Sequence, residues 1–191
     1  MEDMTLWDSR CMSSQRPLAS DPIAEAYRQW TRRGWGDVAD AMAAITSIMR
    51  VQQAMLSRVE AVLKTHNLTM ARYELLALLA FSESGSLPMA KISSRLQVHP
   101  ASITNVVDRL ESAALVARCA HPSDRRATIV KVTPEGIELT QKATLDLNSK
   151  LFAEIGLDHT DLTQLNKILA RYRFHIGDFA EDAPPPPWDD D

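Results

Sequence analysis

The feature that most constrains this chain is the stretch over residues 86–136, SLPMAKISSRLQVHPASITNVVDRLESAALVARCAHPSDRRATIVKVTPEG. There, two short helical patterns meet at a tight turn and run on into a ribbon. Pro88 stands where a first helical residue is favoured, and Met89, Ile92 and Leu96 are spaced for one buried face. After a turn at Gln97, Val98 and His99, Pro100 opens a second helix whose Ile103, Val106, Val107, Leu110 and Ala114 form its buried side. Ala101, Ser102, Thr104, Asn105 and Asp108 are left facing outward or at the flank. Small polar residues suit a helix that enters a DNA major groove, because hydroxyls and amides bond base edges and Asn can pair bidentately with adenine. His99 takes the N-cap position in place of the usual Ser, Asn or Asp.

The ribbon follows directly. Val116 to Ala120 and Thr128 to Val132 alternate well enough to pair as strands, and His121, Pro122, Ser123 and Asp124 supply turn chemistry between them. Arg125 and Arg126 fall at or just past the tip, where arginines beside a reading helix suit the negative potential of a narrow minor groove. Thr133 and Pro134 then cap and begin another helix. From Met89 to Lys131 there are seven basic residues against three acidic ones, whereas the whole chain has a net charge of −4. The positive charge is therefore concentrated in this stretch. Lys91, Arg95 and Arg118 fit phosphate contacts, which add affinity without sequence information. Arg109 has two readings, a phosphate contact or a pairing with Asp108 or Glu111 that braces the helix against the ribbon.

The run VHPASITNVVDRLESAALVAR followed by DRRATIVKVTPEG resembles the MarR (multiple antibiotic resistance regulator) family of winged helix-turn-helix repressors. The likeness rests on Asp-Arg-Leu-Glu in the second helix, Leu-Val before the ribbon, the Asp-x-Arg wing and the Val-x-x-Thr-x-x-Gly exit. It extends more loosely from about Val38 to about Phe179. The resemblance implies a homodimer that binds near-palindromic double-stranded DNA and is released by a small-molecule effector. It implies that Ser102, Thr104 and Asn105 read bases, that Arg126 enters the minor groove and that Asp124 orients it. It also places a ligand pocket where the dimer layer meets the DNA-reading lobe. The residues facing that place are Met42, Met49, Met55 and Tyr73, with Arg72 or Glu74 as a polar anchor and Trp30 as a further wall. A urate-binding subgroup carries an extra N-terminal helix with Trp, which Trp30 echoes, but it has Trp-Asp where this chain has Tyr73-Glu74 and Arg where this chain has Asn105, which argues against urate.

The rest of the chain frames that lobe. Residues 37–66 carry the longest periodic pattern, with Val38, Met42, Ile45, Met49, Gln52, Leu56, Val59 and Leu63 at spacings of four and three, widened by Ala41, Ile48, Met55 and Val62. A helix of about 28 residues would be roughly 40 Å long, more than a compact half-chain covers, so part of its apolar face must meet a second chain. Before it, Asp21 and Pro22 start a short helix that Gly34 ends, and Trp30 and Trp35 give it something to pack. Thr69 caps a helix over residues 70–82 that is apolar almost all round, with Tyr73, Leu75, Leu76, Leu78, Leu79 and Phe81, and so belongs at the centre. Residues 134–155 form one helix with Ile137, Thr140, Thr144, Leu147 and Leu151 on a single face. Asp158 caps a last helix bearing Leu162, Leu165, Ile168, Leu169, Tyr172, Ile176 and Phe179.

The expected fold is mainly α with a small β-ribbon (α+β). The divisions are a flexible arm over 1–20, N-terminal dimerisation helices over 21–68 and a winged helix-turn-helix DNA-binding lobe over 69–133. C-terminal dimerisation helices over 134–180 and a disordered acidic, proline-rich tail over 181–191 complete it. A sequence pI near 5.7 argues against a general polyanion binder, so DNA contact should be local and specific. No apolar run approaches a membrane span and the start is not a secretory signal, which points to the cytoplasm. Cys11 and Cys119 form no disulfide framework and have no activating neighbour, and the five histidines sit at no metal-ligand spacing, so no cofactor or metal is expected. No nucleophile–base arrangement, paired carboxylates or Gly-rich phosphate loop marks an enzyme. Two alternatives to a repressor remain: a winged helix used for protein contact, and a regulator that activates.

Overall fold

The computed structural model describes residues 18–120, 123 and 127–188. The chain falls into two compact units, Met1–Leu151 and Phe152–Asp191.

In the first unit, the Asp21 carboxylate accepts from the Ile23 amide at 2.9 Å and starts α1 (Pro22–Arg32). Gly34, at φ +84°, turns the chain so that α1 packs back against α2 (Ala39–Lys64), which a short 3₁₀ turn (Gly36–Val38) introduces. Trp30 and Trp35 brace this hairpin edge to face, with ring centroids 5.5 Å apart. The 26-residue α2 is buried only at its ends, at Ala39, Val62 and Leu63. Between them Ile45, Ile48, Met49 and Leu56 stay exposed, so the long apolar stripe is left uncovered by its own unit.

α3 (Met70–Ala80) is the central post. Thr69 Oγ1 caps it by accepting from the Arg72 amide, and Leu75, Leu76 and Leu79 are fully buried where it meets α2, α4, α5 and α6. Phe81 is 66% exposed, contrary to its place in the apolar pattern, because it is the cap residue just past the last helical turn. A second departure concerns Pro88. Instead of opening a helix it closes β1 (Ser86–Pro88), an edge strand paired with β3, and α4 (Met89–Leu96) begins one residue later. The missing Pro N–H costs nothing on an edge. The ribbon of β2 (Val116–Ala120) and β3 (Thr128–Val132) has the expected bounds, with Val116 opposite Val132 and Ala120 opposite Thr128, and β1 makes it a three-stranded antiparallel sheet in the order β1-β3-β2. Three residues are too few to show alternation in a sequence; only the open edge of β3 makes them a strand.

After β3, Thr133 ties three segments together. Its hydroxyl lies 2.9 Å from the Ala114 carbonyl and 3.1 Å from that of Leu115, and accepts from the Gly136 amide at 3.0 Å as the cap of α6 (Pro134–Leu147). Gly136 is confined by this approach: a Cβ there would stand 2.2 Å from the Leu115 carbonyl oxygen and 2.8 Å from a Val132 methyl. The pattern expected over 134–155 is broken, since α6 gives way to a π turn (Asn148–Phe152) after Leu147. No residue in that turn announces the wider winding. At the far end of α6, Asp146 Oδ2 receives both His66 Nε2 and Lys150 Nζ at 2.9 Å, linking the end of α2 to α6. The hydrogen bond from Lys150, and then that from His66, hold the Asp146 carboxyl below the usual carboxylate range.

In the second unit Asp158 accepts from the Asp161 amide at 2.9 Å and starts α7 (His159–His175). Phe174 and Phe179 pack at 5.8 Å, and Arg173 lies over the Phe179 ring while pairing with Asp178. Residues 176–188 contain no helix or strand, yet Pro186 borders a shallow groove on α7 with Ile168, Ala170, Phe174 and Phe179. Leu165, Ile168, Tyr172 and Ile176 remain exposed.

Two measurements check this account. Gly136→Ala should lower unfolding stability by about 1–3 kcal/mol in urea denaturation, the usual cost of overpacking a site with no room to yield. Asp146→Asn should be less stable than the parent near neutral pH. Because the folded-state carboxyl titrates below its unfolded value of about 3.9, that difference is full above about pH 5 and closes as pH falls through the lowered value.

Candidate nucleic-acid interface

The turn between α4 and α5 (Pro100–Ser112) is held at every residue. Gln97 adopts φ +51°, letting the Val98 amide reach the Ser93 carbonyl at 3.2 Å, and Ser93 Oγ donates to the Val98 carbonyl at 2.6 Å. His99 does cap α5: its Nδ1 accepts from the Ala101 amide at 3.2 Å, an arrangement that needs an unprotonated Nδ1 and leaves Nε2 on the exposed side chain.

α5 buries Ile103, Val107 and Leu110 and half-buries Val106. Ala114, expected on that buried side, lies outside the helix at φ +57° and is exposed. Its amide bonds the Glu111 carbonyl and the Leu115 amide bonds that of Leu110, both at 2.9 Å, a reversal that ends α5 and directs the chain into β2.

On the opposite face Pro100, Ala101, Ser102, Thr104, Asn105 and Arg109 are all exposed. Thr104 Oγ1 donates back to the Pro100 carbonyl at 3.1 Å. Ser102, Asn105 and Arg109 make no side-chain hydrogen bond or ion pair among the described residues. Lys91 and Arg95 on α4 and Lys131 on β3 are exposed as well. Asp124, Arg125 and Arg126 lie outside the described residues.

The brace between helix and ribbon is Arg118, which the sequence pattern grouped with phosphate-contacting residues. Its guanidinium pairs with Glu111 and, at 2.5 Å, with Asp108, while its amide bonds the Glu111 carboxylate at 2.9 Å. The hydrogen bond to Asp108 is the largest influence raising its pKa, so the cation is secure. Both carboxylates that were candidates to pair with Arg109 are thus taken, and Arg109 is the side chain left exposed. The readable signal was the spacing of Asp108 and Glu111, three apart on one helix face; which arginine would meet them was not readable.

The residues expected around a ligand are spread over three elements. Trp30 in α1 packs on Trp35, and in α2 Met42 is half-buried, its carbonyl accepting from the Thr46 hydroxyl, while Met49 is 57% exposed. In α3 Arg72 donates to the Asn67 carbonyl at 3.3 Å, and the Tyr73 hydroxyl meets Thr144 Oγ1 at 2.9 Å. A small cleft lined by Phe81, Gln141, Thr144 and Leu145 opens beside that last bond, and none of the five lines it. Burial raises the pKa of Glu74, the alternative polar anchor. Among the described residues no cluster of ligating side chains could hold a metal, and no helix is long and apolar enough to cross a membrane.

The lobe that carries these residues matches the MarR family model over residues 68–128. The chain is 33% identical over 115 residues to YhbI, an uncharacterized HTH-type transcriptional regulator of Bacillus subtilis, covering 57% of this chain and 70% of that protein. It is 46% identical to the structure of Sco5413, a MarR family transcriptional regulator from Streptomyces coelicolor, with a TM-score of 0.67 over 74% of this chain and 99% of that one. The chain belongs to the MarR family. As a MarR protein it is a DNA-binding transcriptional regulator rather than an enzyme. A third neighbour, the MarR regulator Sco3205 of S. coelicolor solved in complex with DNA, shares the fold at 20% identity, with a TM-score of 0.66 over 76% of this chain and 91% of that one.

The division of labour between the two arginines is measurable. Arg118→Gln should reduce unfolding stability by about 1 kcal/mol, since it removes charge-assisted bonds that are only partly shielded from water. Arg109→Gln should leave stability unchanged while weakening DNA binding and reducing the slope of affinity against salt by about one ion.

Proposed function

We propose that this MarR protein is a homodimeric repressor of the cytoplasm that binds one near-palindromic operator and leaves it when a small molecule binds. The observation that carries the reading is the outward face of α5, where Ser102 and Asn105, unpaired among the described residues, stand on a helix braced against its ribbon by Arg118. A helix so held presents base-reading groups in one fixed orientation, which is what direct readout in a major groove requires. Ser102, Thr104 and Asn105 read bases, Arg109, Lys91 and Arg95 contact phosphates, and Arg126, oriented by Asp124, enters the minor groove beside Arg125.

The second copy follows from α2. Its exposed Ile45, Ile48, Met49 and Leu56 make an apolar stripe too long to leave in water, and α7 carries its own exposed set. Pairing through these faces sets the two α5 helices about one duplex turn apart. An effector held near Met42, Met49, Tyr73 and Arg72, with Trp30 at the edge, releases the operator by favouring a subunit spacing that does not fit that repeat. The MarR regulator solved with DNA supports the duplex as partner.

Footprinting on the DNA upstream of the protein's own gene should reveal one protected near-palindrome; a uniform, unprotected ladder would overturn the reading. Ile48→Asp should shift the sedimentation mass from dimer to monomer and weaken operator binding at least about tenfold, because two half-sites no longer act together.

A further inference from the structure

We propose that each operator half-site presents A·T pairs, not G·C pairs, to the first two turns of α5, with Asn105 and Thr104 setting that choice. The inference rests on the reading of α5 as the base-contacting helix.

At about 100° per residue, Ala101 and Asn105 share one line along the outer face, with Ser102 and Thr104 on either flank. The groups these four offer are a methyl, an amide, a hydroxyl, and a hydroxyl with a methyl. Guanine presents two acceptors, N7 and O6, to the major groove, and the side chains that match both are Arg and Lys. Residues 100–107 contain neither. The first charge on this face, that of Asp108, is paired with Arg118, and the first positive one on the helix is Arg109, a full turn beyond Asn105 along the same line, where a docked helix draws away toward the phosphates.

Thr104 narrows the choice further. Its hydroxyl hydrogen is engaged by the Pro100 carbonyl at 3.1 Å, so toward the groove it offers lone pairs and a γ-methyl. Lone pairs suit the N6 amino group of adenine, and the methyl suits the C5 methyl of thymine. A cytosine amino group would satisfy the same lone pairs, but it brings a guanine whose two acceptors meet no cation here. The Asn105 amide, unpaired within the described residues, keeps both its donor and its acceptor for adenine N7 and N6. Ala101 adds a second methyl for a thymine.

The experiment is selection of bound duplexes from random DNA by the full-length protein and by its Asn105→Arg variant, which is exposed and should fold as the parent does. The parent should enrich a palindrome with adenine at one position per half-site that the variant changes to guanine, the neighbouring positions staying A·T. In a duplex carrying 7-deazaadenine at that position, parent binding should fall at least about fivefold and variant binding should not change. A parental G·C pair at the position the variant alters, or a variant that alters no position, overturns the inference while leaving a sequence-specific regulator. No enriched palindrome from the parent overturns the regulator reading and this inference with it.

Discussion

Arg118 ties the ribbon to α5 by binding two carboxylates of that helix. The angle at which α5 meets the ribbon is fixed at the surface by that attachment. Helix and strand are joined by a reversal of only a few residues, so backbone connectivity alone would let the ribbon pivot about Ala114. The guanidinium spans Asp108 and Glu111 and stops the pivot, while the amide of the same residue uses the second oxygen of Glu111. A cation is needed there because two carboxylates three residues apart would otherwise repel across the partly buried seam. The same brace withdraws Asp108 and Glu111 from Arg109, which is how one ion cluster both fixes a geometry and leaves an exposed positive charge at its edge.

A second constraint acts on the other side of the ribbon. Thr133 gathers the end of α5, the end of β3 and the start of α6, and the chain passes so close at Leu115 that residue 136 has no space for a side chain. α3 lies behind all of this with its leucines fully buried, so α5, the ribbon and α6 share one core. The Asp146 contact to His66 carries the connection on to α2, the helix whose apolar stripe stands exposed. These contacts form a continuous packed route from the long helix to α5.

The caps were legible because their chemistry is local. Asp21, Thr69, Thr133 and Asp158 each accept from an amide two or three residues on, and even His99 fills the role its position assigned it. The strands β2 and β3 were legible because five alternating residues bounded by turn chemistry leave few other options. Pro88 misled because a proline is favoured both at a helix start and at the last residue of an edge strand, and only the neighbouring β3 decides between them. Ala114 misled because helical periodicity carries no mark of where a left-handed residue will end it when that residue is not glycine.

The sequence by itself determined the helix-turn-helix, the ribbon, the polar outer face of α5 and the excess apolar length of α2, since each follows from a period of 2 or 3.6 and from residues that bond within a few positions of themselves. Tertiary structure alone decided that Arg118 rather than Arg109 takes the carboxylates, that residues 86–88 join the sheet, and that Tyr73 reaches Thr144 across 71 positions. Those pairings join residues whose separation along the chain says nothing about their distance in space. An ion pair or a strand edge is chosen by what the packed core happens to bring alongside it, and that is a property of the whole fold.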